Sequence, residues 1–152
     1  MRTEPFHIPS EEARKLHEAA YSAQQDGHRE VCGLVLADAE GTLRLVFMPN
    51  RAERSYRFER AWADIDRAKA ELGPGEEVLG SFHSHPIGTP IPSPGDREGG
   101  FVNGVELIYD VCGAEMRLWR LVSDAAGEQP VELTMTGQVT TDEFHEDGGA
   151  SG

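Results

Sequence analysis

Two histidines and an aspartate lie close together in the stretch GSFHSHPIGTPIPSPGD, which covers residues 80–96. His83 and His85 are one residue apart, so on a β-strand both side chains point to the same face. The proline-rich loop that follows leads to Asp96. Two imidazole nitrogens and one carboxylate oxygen, with a fourth position left to water, are typical of a catalytic zinc site. A structural zinc site usually closes that position with cysteine, and no cysteine is near in sequence.

Glu30 stands at the start of a strongly apolar run and is the candidate partner of this site. As a general base it would face the metal, whereas the ordinary alternative is a solvated carboxylate at the end of a strand. The histidines have a similar alternative, because a histidine on a strand is commonly a structural or surface residue. His28 and Glu30 also match half of the zinc deaminase signature, but the P-C-x-x-C half is absent, which excludes that class.

Apolar periodicity and turn residues predict the elements that position these side chains. Helices are predicted at residues 10–27, with Ser10 as the N-cap, and at residues 60–72, with Trp62 in the core. Strands are predicted at residues 6–8, 31–37, 42–48, 55–58, 77–83, 105–111, 115–122 and 131–135. The residues after Asp96 are poor in helix formers, so any helix there should be short.

The length of 152 residues suits one domain with its own core, which we assign to residues 1–135. Residues 136–152 are polar, acidic and rich in glycine, and we expect them to form a disordered tail. The formal charge of −13 argues against a nucleic-acid partner or an anionic membrane surface. It is compatible with a basic partner, or with a salt-adapted host whose proteins have many surface carboxylates.

The cysteines and the first residues bear on the cellular compartment. Cys32 and Cys112 are far apart in sequence, and we expect two buried, reduced thiols. No run approaches the roughly 20 apolar residues of a membrane span. The first residues, MRTEPFHIPSEE, lack the apolar core of a signal peptide. These features favour a cytoplasmic protein.

The pattern as a whole resembles the JAMM (MPN+) metalloprotease family, and EVCGLVLA resembles its small prokaryotic branch. The family signature is a glutamate near a strand, then H-[ST]-H-P, a loop and S-x-x-D. In this chain it reads Glu30, then HSHP at residues 83–86, then SPGD at residues 93–96. The resemblance covers residues 6–122. It implies an α/β (α+β) fold with a curved, mostly antiparallel sheet flanked by helices, as in cytidine-deaminase-like folds.

The resemblance also implies a zinc-dependent peptidase or isopeptidase with one Zn²⁺ per chain. His83, His85 and Asp96 would then be the metal ligands. Glu30 would be the general base, and Ser93 would donate a hydrogen bond to the developing oxyanion. The implied substrates are ubiquitin-like or sulfur-carrier proteins, cleaved at an amide bond at their C-terminus.

Three alternatives remain open from the sequence. The same site could release an amino acid, such as cysteine, from a sulfur-carrier protein. The chain could be a non-catalytic scaffold subunit of the MPN type, although every signature residue is present. The metal could serve structure alone, although an open set of three ligands argues against this.

Overall fold

The strand that contains both histidines lies inside a six-stranded sheet in the computed structural model, which describes residues 4–53 and 55–137. The strands are β1 (Phe6–His7), β2 (Cys32–Ala37), β3 (Leu43–Met48), β4 (Glu77–His85), β5 (Val105–Asp110), β6 (Glu115–Asp124), β7 (Gly127–Leu133) and β8 (Met135–Thr136). The helices are α1 (Ser10–Gln25), α2 (Trp62–Lys69) and α3 (Pro94–Gly99), and a 3₁₀ turn covers Val102–Gly104.

The order of the strands places β4 between β2 and β5. The sheet runs β3-β2-β4-β5-β6-β7, and β1 pairs with β8 in a separate two-stranded sheet. Within the larger sheet β4 and β5 are parallel, and the other neighbours are antiparallel. The mixed α/β fold with a mostly antiparallel sheet, predicted from the sequence, is therefore confirmed.

The parallel pairing of β4 with β5 explains the long connection that follows the histidines. Parallel neighbours cannot be joined by a tight hairpin and need a crossover. Here the crossover is residues 86–104, and it contains the proline-rich loop, α3 and the 3₁₀ turn. The loop that contains Ser93 and Asp96 therefore begins at the end of β4, directly after His85.

Helices α1 and α2 cover opposite faces of the sheet. α1 packs through Leu16 and Ala20 into the same apolar cluster as Val35 of β2. α2 packs through Ile65 into a second cluster, which contains Leu34. Because Leu34 and Val35 are neighbours on one strand, their side chains point to opposite faces. All residues of β2 are buried, as expected for a strand that is covered on both faces.

Residues 55–58 form a loop and not the predicted strand. The side chain of Asn50 organises this loop. Its amide donates a hydrogen bond to the carbonyl of Arg57, and its oxygen accepts one from the backbone N–H of Glu59. Alternation of residue types suggested a strand, but these backbone groups are bonded to a side chain and not to a neighbouring strand.

The second helix is shorter than predicted, and its tryptophan is on the surface. Trp62 is the first residue of α2 and is 80% exposed. The prediction that Trp62 belongs to the core was wrong, because the contact of α2 with the sheet begins one turn later, at Ile65. Ser10 is likewise the first helical residue of α1 and not its N-cap, which is Pro9.

Both thiols are free, as predicted, but only one of them is buried. Cys32 lies in β2, and burial raises the pKa of its thiol to about 11. Cys112 is exposed, so the prediction of two buried thiols was wrong for this residue. It falls in the turn between β5 and β6, where the chain leaves the sheet.

The boundary predicted between the domain and the tail falls inside β8, where Thr136 pairs with His7. Residues 138–152, which make up most of the predicted tail, lie outside the described residues. Across residues 4–53 and 55–137, no helix is both long enough and apolar enough to cross a membrane.

The close approach of β2 to its neighbours depends on a glycine. A Cβ added at Gly33 would lie 2.1 Å from the carbonyl oxygen of Val46 and 2.4 Å from Cε2 of Phe82. Gly33→Ala should therefore lower the free energy of unfolding by about 1–3 kcal/mol or more, measured by urea denaturation. Gly73→Ala is the control, because its Cβ would meet no backbone atom within 4 Å and only the end of the Glu76 side chain, 3.1 Å away. Equal stability of both variants would contradict this packing argument.

Candidate metal centre

The alternation of β4 turns both histidines to one face of the sheet. His83 is fully buried, and His85 is the last residue of the strand, with a side chain that is 13% exposed. Ser84 points to the other face, where its hydroxyl accepts a hydrogen bond from the backbone N–H of Val31 at 2.9 Å. Ser84 is thus occupied in joining β4 to the residue just before β2.

The loop after β4 presents Asp96 through a helix cap. Ser93 precedes α3, and its hydroxyl accepts the backbone N–H of Asp96 at 3.1 Å. In return the Asp96 carboxylate accepts the backbone N–H of Ser93 at 2.9 Å. This reciprocal pair is a capping box, with Pro94 at the first helical position, where its fixed φ is favourable. The S-x-x-D spacing therefore fixes the orientation of the Asp96 carboxylate by local hydrogen bonds.

The structure brings the three predicted ligands together. Nε2 of His85 lies 2.8 Å from Oδ2 of Asp96, and Nε2 of His83 lies 3.2 Å from Oδ1 of Asp96. The two Nε2 atoms are 3.2 Å apart. Ligands of a tetrahedral zinc, at bond lengths near 2.0–2.1 Å, are separated by about 3.3 Å. The spacing of the cluster therefore fits one metal ion.

The second nitrogen of each histidine supports the same assignment. Nδ1 of His85 donates to the backbone carbonyl of Thr89 at 2.6 Å, and Nδ1 of His83 donates to a carboxylate oxygen of Glu106 at 2.6 Å. Both partners can only accept, so the neutral imidazoles have their proton on Nδ1 and their lone pair on Nε2. Both lone pairs then point into the cluster, as metal ligation requires.

The charges of the cluster suit a cation. Burial opposes ionisation of Asp96, but hydrogen bonds from His83 and His85 outweigh it and hold the pKa of this carboxyl well below its usual range. Burial likewise opposes a charge on His83, but the Asp96 and Glu106 carboxylates raise its pKa to about 9, so in metal-free protein a proton on Nε2 takes the place that a metal ion would occupy. The site thus keeps an ionised oxygen ligand across the physiological pH range.

Glu30 lies two residues before the start of β2. It borders the same cleft as His85 and Asp96, and this cleft has a volume of about 390 Å³. Its side chain is buried, and Oε1 has no hydrogen-bond partner among the described residues. Burial raises the pKa of this carboxyl to about 7. A carboxyl that gains and loses a proton near neutrality is suited to general acid–base chemistry, and a buried oxygen without a partner is suited to a ligand or a water.

The rim of the cleft is apolar. Ile87 and Ile91 flank it from the proline-rich loop, and Tyr56 flanks it from the loop after β3. Tyr56 has φ +60° and stacks on His28, which has φ +56°, with ring centroids 5.2 Å apart. Non-glycine residues rarely adopt this conformation, and where they do it is commonly at a functional site. None of these three rim residues belongs to a motif that marks it in the sequence.

Glu106, which contacts His83 from β5, is a further site residue that was not predicted from the sequence. A signal was present, because Glu106 interrupts the apolar strand VELIYD with a charge, and a charged residue in a buried strand needs a partner. The identity of that partner depends on the pairing of β5 with β4, which the sequence does not specify.

The raised pKa of Glu30 predicts a pH-dependent effect of its replacement. In metal-free protein the charged carboxylate destabilises the fold, by at most about 3 kcal/mol for a shift from 4.5 to about 7. This penalty is absent below the unfolded pKa and complete above the folded one. Glu30→Gln, unfolded by urea with a chelator present, should therefore be more stable than wild type at pH 8, with a difference below about 1 kcal/mol at pH 5.

Asp64→Asn is a control for this experiment, because its free energy of unfolding at pH 8 should change in the opposite direction. Hydrogen bonds from Arg51 hold the pKa of Asp64 below its usual range, so removal of this charge should lower stability at pH 8. A Glu30→Gln variant that is less stable than wild type at pH 8 would show that the carboxylate is not penalised by burial.

Comparison with known proteins agrees with this geometry. The family model for prokaryotic homologs of the JAB domain (Prok-JAB) matches residues 12–122. A desampylase from Pyrococcus furiosus is 37% identical over 71 residues, which are 46% of this chain and 51% of that protein. The match therefore spans about half the length of this curated relative.

Two solved structures have a similar fold. A JAB1/MPN domain protein from Archaeoglobus fulgidus has a TM-score of 0.53 at 21% identity, over 86% of this chain and 99% of the other. A structure described as a metalloprotease-like zinc site in the proteasome and signalosome, named JAMM, has a TM-score of 0.50 at 19% identity, over 86% and 97%. These likenesses concern the fold, and the family model covers most of the chain. The chain belongs to the Prok-JAB family, the prokaryotic homologs of the JAB domain.

Proposed function

We propose that this chain is a zinc-dependent isopeptidase or peptidase that cleaves amide bonds at the C-terminus of ubiquitin-like or sulfur-carrier proteins. The observation that supports it most directly is the position of Glu30. Its buried, unpartnered carboxylate oxygen borders the same cleft as His85 and Asp96, and its pKa is raised to about 7. A buried carboxylate oxygen that has no hydrogen-bond partner in the described part of the chain, beside an open set of candidate metal ligands, is an arrangement suited to hydrolysis.

His83, His85 and Asp96 would hold one Zn²⁺ per chain. When bound, the zinc supplies Lewis-acid chemistry, which polarises a water molecule and the scissile carbonyl. Within the described residues the cluster contains only these three groups, so an ion held by them would keep a ligand position for water or substrate. Ligand chemistry of two imidazoles and a carboxylate is also found in catalytic zinc sites of other metallopeptidases.

Glu30 would accept a proton from the attacking water and later pass it to the leaving amine. Both transfers need a carboxyl that is ionised for the first step and protonated for the second, which a pKa near 7 permits at neutral pH. Ser93 would stabilise the developing oxyanion. Its hydroxyl accepts the N–H of Asp96 through a lone pair, so its own hydrogen can be donated to the substrate.

The form of the cleft and the known relative support a protein tail as substrate. Tyr56, Ile87 and Ile91 line the cleft and are exposed, so they offer apolar contacts to a bound peptide. The relative from Pyrococcus furiosus is named a desampylase, which points to a ubiquitin-like modifier as its substrate. We therefore place the C-terminal tail of such a modifier across Glu30, with the scissile bond at the metal ligands.

The proposal predicts that cleavage depends on both the metal and Glu30. A ubiquitin-like protein with an amide-linked C-terminal extension is incubated with wild type or Glu30→Gln, each with and without a chelator. Wild type should cleave it only with zinc, and Glu30→Gln should bind zinc but cleave roughly 100–10,000-fold more slowly. Glu12→Gln is the matched control, because Glu12 is a buried glutamate that accepts the N–H of Leu45 and lies outside the cleft.

The outcomes separate the alternatives. Zinc binding without cleavage of any carrier would favour the scaffold. Cleavage of a carrier–cysteine adduct but not of a carrier–lysine isopeptide would favour release of an amino acid from a sulfur carrier. Failure of folded wild-type protein to bind zinc at neutral pH would refute the metal site itself.

The two roles of Ser93 predict two separable effects. Ser93→Ala removes the helix cap, which should lower the free energy of unfolding by about 1 kcal/mol. It also removes the oxyanion donor, which should lower kcat by roughly 100–1000-fold at saturating zinc. Ser93→Thr keeps a hydroxyl for both roles and should retain most of the activity. A wild-type kcat in Ser93→Ala would show that Ser93 acts only as the helix cap.

A further inference from the structure

A carboxylate buried behind the candidate metal centre has no part in the function proposed above. Glu106 lies on β5 opposite Ser81 of β4, and its side chain is fully buried. Its Oε2 accepts Nδ1–H of His83 at 2.6 Å and Nη2–H of Arg60 at 2.5 Å. Its Oε1 accepts the hydroxyl of Ser81 at 2.5 Å. Three donors from two segments of the chain therefore converge on one carboxylate.

We propose that Glu106 is a positioning residue of the metal centre, which holds the Nδ1 proton of His83 so that Nε2 presents its lone pair to the metal. This inference rests on the metal site of the proposed function. A carboxylate accepts hydrogen bonds and does not donate them, so the nitrogen that faces it must hold the proton. A carboxylate behind a metal-binding histidine also orients the ring and makes it a stronger ligand.

Arg60 fixes Glu106 in place. The arginine side chain is only 5% exposed, and it supplies the opposite charge that a buried carboxylate needs. Its Nη2 also donates to the backbone carbonyl of Phe82 at 2.9 Å. Because Phe82 precedes His83 on β4, the guanidinium ties the carboxylate to the strand of the metal ligand.

The imidazole of His83 is held on its face as well as at its edge. The ring of Phe58 stacks on it, with centroids 4.3 Å apart and planes inclined by 25°. The guanidinium carbon of Arg60 lies 4.5 Å from the centroid of the same Phe58 ring. The loop segment 58–60 thus contributes both a face contact to His83 and the counter-ion of Glu106. The ring therefore has little freedom to rotate. Its proton is also held on Nδ1 and does not move to Nε2.

The competing explanation is that Glu106 and Arg60 form a structural ion pair only. Such a pair would contribute to folding without any effect on how tightly metal is bound. The contact with Nδ1 of His83 separates the two explanations, because only a positioning role makes zinc affinity and the protonation of His83 depend on Glu106. The test therefore needs readouts of the metal site that do not depend on turnover.

The first experiment measures zinc affinity by competition with a chromophoric chelator, using the full chain at pH 7.5. Glu106→Gln should bind zinc roughly 10–100-fold more weakly than wild type, because an amide has one accepting oxygen and cannot serve His83, Arg60 and Ser81 together. Asp64→Asn is the matched control. Asp64 is another buried carboxylate, its partners are Arg51 and Arg67, and its variant should bind zinc as wild type does.

Wild-type zinc affinity in folded Glu106→Gln would overturn the proposal, and so would an equal loss in Asp64→Asn, which would indicate a general effect of destabilisation. Glu106→Asp keeps the charge but moves it away from His83 by about one bond length, roughly 1.5 Å. Its zinc affinity should lie between those of wild type and Glu106→Gln. These affinities do not require cleavage, so they stand even if no carrier protein is found to be a substrate.

A second measurement covers the case in which Glu106→Gln does not fold. ¹⁵N NMR of wild-type protein loaded with zinc should show His83 protonated at Nδ1, with slow exchange of that proton with solvent, and metal-bound at Nε2. The proposal would be overturned by metal on Nδ1 of His83 or by rapid exchange of the Nδ1 proton. Absence of zinc binding in wild type would instead refute the metal site on which this inference depends.

Discussion

The site depends above all on the pairing of β4 with β2 on one side and with β5 on the other. Cys32 of β2 pairs with His83, which brings the preceding Glu30 close to the histidines. Ser81 pairs with Glu106 of β5, which brings a carboxylate behind the same histidine. A shift of either register by one residue would turn these side chains to the wrong face. The glycine at position 33 and the packed cores on both faces keep the strands in register.

Buried charge is the second constraint on this molecule, and the buried carboxylates differ in how far their charge is compensated. Asp96 and Glu106 are both buried, and each accepts several hydrogen bonds or pairs with a cation. Glu30 is buried too, yet one of its oxygens has no partner among the described residues. Burial without compensation destabilises a fold, so such a group is retained where activity needs it. This contrast supports the proposal that Glu30 is the general base, whereas the contacts of Glu106 support a positioning role.

Local sequence predicts a large part of this arrangement, because much of it is built from short-range rules. The i, i+2 spacing of His83 and His85 places them on one face of any strand. The capping box of Ser93 and Asp96 orients a ligand through bonds that span three residues. Errors occurred where packing overrides local pattern: Trp62 has a helical spacing to Ile65, but α2 reaches the sheet only from Ile65 onward.

The sequence by itself determined the type and spacing of the candidate metal ligands, the mixed α/β class and the resemblance to a family of metalloproteases. These follow from residue types and from separations of a few positions along the chain. The tertiary structure alone decided that Glu106, Arg60 and Phe58 surround His83 and that Tyr56 borders the cleft. Each of these contacts joins residues more than 20 positions apart, so it exists only once the strands have paired and the crossover has folded over the sheet.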